Sequence, residues 1–281
     1  MNRFLISGFS DEISADFNVQ LTEMKKMNIA YIEIRGVNGK NISELTKNEV
    51  LEVKKRLKDF DIKVSAIGSP IGKIRMTDDF NTHYEVFKHI VWIAEVLETS
   101  NIRMFSFYMS PDETEMYRDE VIKRLTAFKT YIEDKDIVLL HENEKDIYGD
   151  IPERCLDLFN ELGSDQFKLI FDPANFIQCG VDVIEAHKLL KAHVAYYHIK
   201  DATGDGKVVP AGLGVGNLPY LIESLKNDGY DGFLSVEPHL GDFIGFNHLE
   251  GTVEEKESSD VDKFKLAVDS LRMIIKEVNN G

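Results

Sequence analysis

Eight short runs of apolar, β-branched and aromatic residues recur along the chain, most of them followed by a stretch of helical period, and this alternation leaves few folds open. The runs begin at Phe4 (FLISGF), Tyr31 (YIEIR), Lys63 (KVSAIG), Ile102 (IRMFSF), Ile137 (IVLLHE), Phe167 (FKLIFD), Val194 (VAYYHI) and Phe233 (FLSVE). Between them, sets such as Val50, Val53, Leu57 and Phe60, or Tyr84, Phe87, Val91, Ala94 and Leu97, fall on one face of a helix. A last set, Phe264, Val268, Leu271 and Ile275, follows the cap-like Ser258-Ser259-Asp260. Alternating βα units call for a parallel sheet. Eight of them predict an α/β protein, a single (β/α)8 TIM barrel over residues 1–281. An open doubly wound sheet is the other arrangement, but no GxGxxG follows the first run. The pattern breaks once, in an irregular loop at 240–258 that carries Phe243, Phe246 and His248, read as a cover for the barrel mouth, a subunit contact or a surface excursion.

The ends of the later runs carry the chemistry. Glu142 closes LLHE, Asp172 follows LIF, His198 lies in YYHIKD and Glu237 follows LSV, at separations of 30, 26 and 39 residues. No two share a strand or a helical turn. They meet only where a fold gathers successive strand ends, as a parallel barrel does at its C-terminal mouth. Three carboxylates and one imidazole suit one divalent ion, Mn²⁺, Mg²⁺, Co²⁺ or Zn²⁺, better than a thiolate-seeking metal.

Alternation along the strands adds further candidates. Tyr196 and Lys200 share the face of His198, with Lys200 at the rim as a substrate contact or a solvated lysine. Ser235 and His239 share the face of Glu237, and His239 is a second rim candidate. On the second run Arg35 sits high, as another substrate candidate, and Glu33 sits deeper, where an interior carboxylate calls for a cationic partner. Phe9, Ser69, Lys73 and Phe107 complete the expected substrate rim. His141 turns away from Glu142 toward the helices, Glu144 lies past the strand end, and His83, His89, His187 and His193 fall in or beside helices. The stretch Gly212-Leu213-Gly214-Val215-Gly216 reads either as backbone amides for a phosphate or as tight turns.

Charge and composition exclude some classes. A net charge of −16 opposes a protein that tracks a nucleic-acid backbone. At 43% hydrophobic residues the chain can bury one large core, yet no apolar run reaches the length of a membrane span. Cys155 and Cys179 lack metal-binding spacing, and no leader pattern precedes the first run, so a reduced, cytoplasmic protein is expected. A small carbohydrate is the expected partner, with self-association left open and neither nucleic acid nor membrane among the partners.

The ordered set GFSDEI, YIEIRGV, SPIGKI, HENE, DPANF, HIKDA, GLGVG and EPHL resembles the xylose-isomerase-like TIM-barrel superfamily, also known as the AP endonuclease family 2 fold, in its sugar phosphate isomerase/epimerase branch. The resemblance covers nearly the whole chain. It implies that Glu142, Asp172, His198 and Glu237 hold one divalent metal, and that the enzyme is an isomerase or epimerase that abstracts a proton beside a carbonyl through an enediolate-like species. It further implies Glu142 and Glu237 as the paired acid and base. A dehydratase of the myo-inosose kind, with Lys200 or His239 as acid, and a non-catalytic sugar-binding barrel are the alternatives. Endonuclease IV proteins resemble the fold but need additional histidines, one of them where this chain has Asn175. That asparagine joins Lys200, Arg35 and His239 among the expected substrate-binding residues.

Overall fold

The structure, a computed structural model, describes residues 4–240 and 259–280. All but the first residue of the irregular loop, and with it Phe243, Phe246 and His248, lies outside the described residues. Eight parallel strands form a nearly closed barrel: β1 (Leu5–Gly8), β2 (Tyr31–Ile34), β3 (Lys63–Ile67), β4 (Asn101–Met104), β5 (Val138–Glu142), β6 (Phe167–Phe171), β7 (Val194–Ile199) and β8 (Phe233–Val236). From β2 to β8 each strand pairs with the next in sequence, and β1 closes against β8. The seam falls between β1 and β2, which lie side by side without a ladder. Each expected run begins within one residue of an observed strand, because period-2 burial and helical period are both strongly written in this sequence.

Helices α1 (Phe17–Lys26), α2 (Lys47–Asp59), α3 (Phe80–Val96), α4 (Thr114–Tyr131), α5 (Pro152–Leu162), the short α6 (Pro173–Gln178), α7 (Val183–Leu190), α8 (Leu218–Asn227) and α9 (Asp260–Asn280) surround the barrel. Their first turns lie on the side where the strands end. There Asp16, Thr46, Asp79 and Asp182 accept the free N–H groups of α1, α2, α3 and α7, each such cap contributing about 1 kcal/mol. The outer faces of the strands and the inner faces of the helices form one large apolar core.

Inside the barrel the packing changes from apolar to charged along each strand. Ala66, Leu140, Ile170 and Tyr196 form a buried interior layer, and the Tyr196 hydroxyl meets Ser65 Oγ at 2.9 Å. Two residues on from Leu140, Ile170 and Tyr196, alternation delivers Glu142, Asp172 and His198 to the next level. The β7–β8 register sets Ser235 beside His198, which places Glu237 at the level of Lys200. The core therefore sits below, and the polar groups collect at the mouth.

Candidate metal centre

Glu142, Asp172, His198 and Glu237 come together there, buried, each offering a ligand atom within 4.8 Å of all the others. Asp172 owes its position to a local device: it is the N-cap of α6, its Oδ1 accepting the Asn175 N–H at 2.9 Å while Pro173 starts the helix. Its other oxygen, Oδ2, accepts no aligned hydrogen bond and lies 2.9 Å from the Lys200 ammonium and 3.8 Å from His198 Nδ1. His198 Nδ1 lies 3.0 Å from Glu142 Oε1, 3.7 Å from Glu237 Oε2 and 3.8 Å from Asp172 Oδ2. Its Nε2 lies 3.3 Å from the carboxylate of Glu33, which is wholly buried. A carboxylate behind an imidazole fixes ring and tautomer and leaves the opposite nitrogen for a metal. The interior Glu33 thus finds its cationic partner in His198.

Three more cations balance the cluster. Arg103, buried on β4, donates from Nη1 to Glu142 Oε2 at 3.1 Å and from Nη2 to the Gly68 carbonyl, and its guanidinium covers the Phe9 ring at 4.8 Å. Arg35 binds Asp11, Glu12 and Glu237 and lies over the same ring at 4.7 Å. Lys200 pairs with Asp172 and Glu237. Burial alone would raise the Glu142 carboxyl, but His198 and Arg103 outweigh it and hold it at about 2. Burial likewise works against ionised Glu237, and Lys200, His239 and His198 keep it well below the usual carboxylate range. For His198 burial favours the neutral ring, whereas Glu142 and Glu33 draw its affinity for a proton well above the ordinary value.

The structure gives the remaining candidates their surroundings and moves Phe107 from where the sequence put it. Lys200, expected to face substrate apart from the metal ligands, lies on two of their carboxylates. Asn175 donates to Glu142 Oε1 at 3.2 Å and to the Asn143 carbonyl at 2.9 Å, so it steadies that carboxylate from the side. His239 adopts a left-handed backbone (φ 42°) and sits at the rim, its Nε2 3.3 Å from Glu12 and 3.7 Å from Glu237. Phe107 leaves the rim altogether. Strand β4 ends at Met104, and the left-handed Phe107 (φ 68°) turns outward among Phe80, Phe128 and Arg124. Phe105 takes the rim instead, flanked by Lys73 at 4.2 Å and Arg103 at 5.0 Å. His141 packs outward against Ser106, and His83 and His187 are buried where their helices pack on the barrel. Arg103 had no place in the sequence reading. Its signal was the alternation itself, since Arg103 pairs in register with the inward-facing Leu140.

The glycine-rich stretch does form an amide cradle, and the chain fills it. The N–H groups of Gly212 and Gly214 donate to Asp201 Oδ2 at 2.9 and 3.0 Å, and those of Gly216 and Ala202 to Oδ1 at 2.8 and 2.9 Å. A side chain at position 214 or 216 would collide with Asp201 itself. The glycines therefore serve an internal carboxylate in place of a phosphate.

Among the described residues no helix is long and apolar enough to cross a membrane. No curated protein matches the chain. The IolI protein, solved with a zinc atom, superposes with a TM-score of 0.78 at 17% identity, over 98% of this chain and 99% of that one. The probable 3-DHS dehydratase AsbF of Bacillus anthracis gives 0.75 at 18%, over 96% and 98%. The 3-keto-D-glucoside 4-epimerase YcjR of E. coli, in its apo form, gives 0.71 at 16%, over 98% and 100%. At these identities the likeness is one of fold. The family model for the xylose isomerase-like TIM barrel matches residues 21–261, and the chain belongs to that family.

Proposed function

We propose that this protein is a divalent-metal-dependent carbohydrate isomerase or epimerase that moves a proton on a carbon beside a carbonyl. The observation that carries the reading is the convergence of Glu142, Asp172, His198 and Glu237, from four successive strands, on one buried point of the mouth. Three carboxylate oxygens and an imidazole nitrogen backed by Glu33 fit a hard or borderline divalent ion. When bound, such an ion would supply Lewis-acid stabilisation for the negative charge that an enediolate-like species gathers on oxygen.

The chain's own residues supply the proton chemistry. Glu142 and Glu237 stay ionised in spite of burial, so either can accept a proton from carbon; the same carboxylate can return it to the neighbouring carbon, or the other, after taking a proton from solvent while the first gives its own up, can deliver one to the opposite face. Arg103 and Asn175 hold Glu142 from behind, and Arg35 and Lys200 hold Glu237.

Charge favours a sugar without a phosphate. Among the described residues at the mouth, Arg35, Lys73 and Arg103 are each matched to a carboxylate, which leaves at most Lys200 to meet a charged substituent. The amides of Gly212, Gly214 and Gly216 are spent on Asp201. The test is turnover of a panel of ketoses, inososes and their phosphate esters with added Mn²⁺, Mg²⁺, Co²⁺ or Zn²⁺, followed by NMR in D₂O. Deuterium on the carbon beside the carbonyl is expected in the product of the unphosphorylated substrate. Complete retention of substrate hydrogen would point to a hydride shift and overturn the paired-carboxylate reading.

A further inference from the structure

Lys200 stands in an unusual place for a cation beside a metal site. Its Nζ lies 2.9 Å from Asp172 Oδ2 and 3.0 Å from Glu237 Oε2, and the residue is 6% exposed. Both carboxylates belong to the four-residue donor set. Divalent ions of this class sit about 2.0–2.2 Å from carboxylate oxygens. An ion on either oxygen would therefore lie no further than about 5 Å from Nζ, drawing on the same charge that the ammonium now neutralises. Like charges so close in a buried site repel strongly.

His198 sheds its ring proton when it ligates an ion, which offsets one of the two incoming charges, and the three remaining cations are not equally free to yield the rest. The Arg103 guanidinium is fixed by Glu142, the Gly68 carbonyl and two aromatic rings. Arg35 is held by three carboxylates. Lys200 holds only the two oxygens in question, on a four-carbon stem with freely turning bonds, just past the end of β7 on the solvent side of His198.

We propose that Lys200 is a resident counter-cation of the metal site, pairing with Asp172 and Glu237 while the site is metal-free and giving up that position to a divalent ion. Its ammonium then becomes available at the mouth, on the side from which substrate enters. Lys200 is a positioning residue in the metal-free protein, and metal loading and its release are one event. The proposal rests on the metal-site reading given above.

Calorimetric titration of Mn²⁺ into chelator-treated protein tests it, with wild type beside Lys200→Met, Lys200→Gln and Lys200→Arg. The two neutral variants should bind Mn²⁺ roughly ten- to a hundredfold more tightly than wild type, the span expected for losing one competing hydrogen bond to a charged group. The arginine variant should bind no more tightly than wild type. In parallel, acylation of wild-type lysines mapped by mass spectrometry should label Lys200 faster when Mn²⁺ is present. Unchanged or weaker Mn²⁺ affinity in both neutral variants, with circular dichroism spectra like that of wild type, would overturn the proposal, as would labelling of Lys200 that Mn²⁺ leaves unchanged. Failure of wild type and every variant to bind an ion would instead remove the metal reading, and this proposal with it.

Discussion

Replacing Asp201 with asparagine is a severe test of how the mouth is built, because the side chain keeps its shape and loses one acceptor. Each carboxylate oxygen takes two backbone N–H groups: Ala202 and Gly216 on Oδ1, Gly212 and Gly214 on Oδ2. Whichever way the amide turns, its NH₂ faces two donors that have lost their acceptor. The NH₂ settles on the Gly212 and Gly214 side, which is only part-buried, where a donor without its acceptor costs less than the about 1–3 kcal/mol of a buried one, so the change should cost about 1–3 kcal/mol in all. Urea unfolding followed by circular dichroism, in buffer free of phosphate and sulfate, measures it directly. Asp201→Gly should lose stability too, but inorganic phosphate should restore part of it, since the emptied cradle presents four amides to any anion. Wild type should not respond. Stability of Asp201→Asn within about 0.5 kcal/mol of wild type, the range of an ordinary surface substitution, would refute the reasoning.

Arg103→Met should destabilise the metal-free protein by about 3–5 kcal/mol, the usual cost of leaving one member of a buried ion pair unpartnered; an unfolding curve superimposable on that of wild type would contradict the role given to Arg103. Stability should also fall with pH through two histidines away from the mouth. Burial lowers His83 and His187 from 6.5 to about 4, and His83 Nε2 accepts the Gly72 N–H at 2.8 Å, a bond that protonation destroys. The unfolded chain takes up these protons below pH 6.5 while the folded chain resists until about pH 4. Their contribution is thus complete above pH 6.5 and declines as pH falls toward 4, by about 1.4 kcal/mol per histidine per pH unit. His83→Gln should flatten that slope in unfolding free energies measured across the window, and an unaltered slope would discount His83.

Much of the barrel and of the donor cluster was legible because both rest on short-range rules. Period-2 alternation, anchored by the apolar Leu140, Ile170 and Tyr196, carries Glu142, Asp172 and His198 to one level without any knowledge of the loops. What stayed hidden depends on long side chains and on backbone turns. Lys200 was rightly put on the inward face, but a four-carbon stem reaches Asp172 and Glu237 as easily as solvent, and strand periodicity does not choose between them. Arg103 sits within the apolar IRMFSF, where its charge reads as an edge residue unless Glu142 is already known to face it. Phe107 was misplaced because the left-handed turn after β4 leaves no mark on an aromatic residue, which seldom adopts that backbone. The glycines at 212, 214 and 216 signalled an amide cradle correctly. The anion that fills it, Asp201, stood 11 residues ahead of Gly212 as one more acidic residue of an acidic chain.

One claim is central, that four strand ends build a single divalent-metal site. Metal content and affinity of the purified protein, determined by elemental analysis and titration for wild type, Asp172→Ala and His198→Ala, test it most directly. The expected result is about one ion per wild-type chain and little or none in either variant, with the barrel's circular dichroism retained in both. Unchanged stoichiometry and affinity in the two variants would contradict the site.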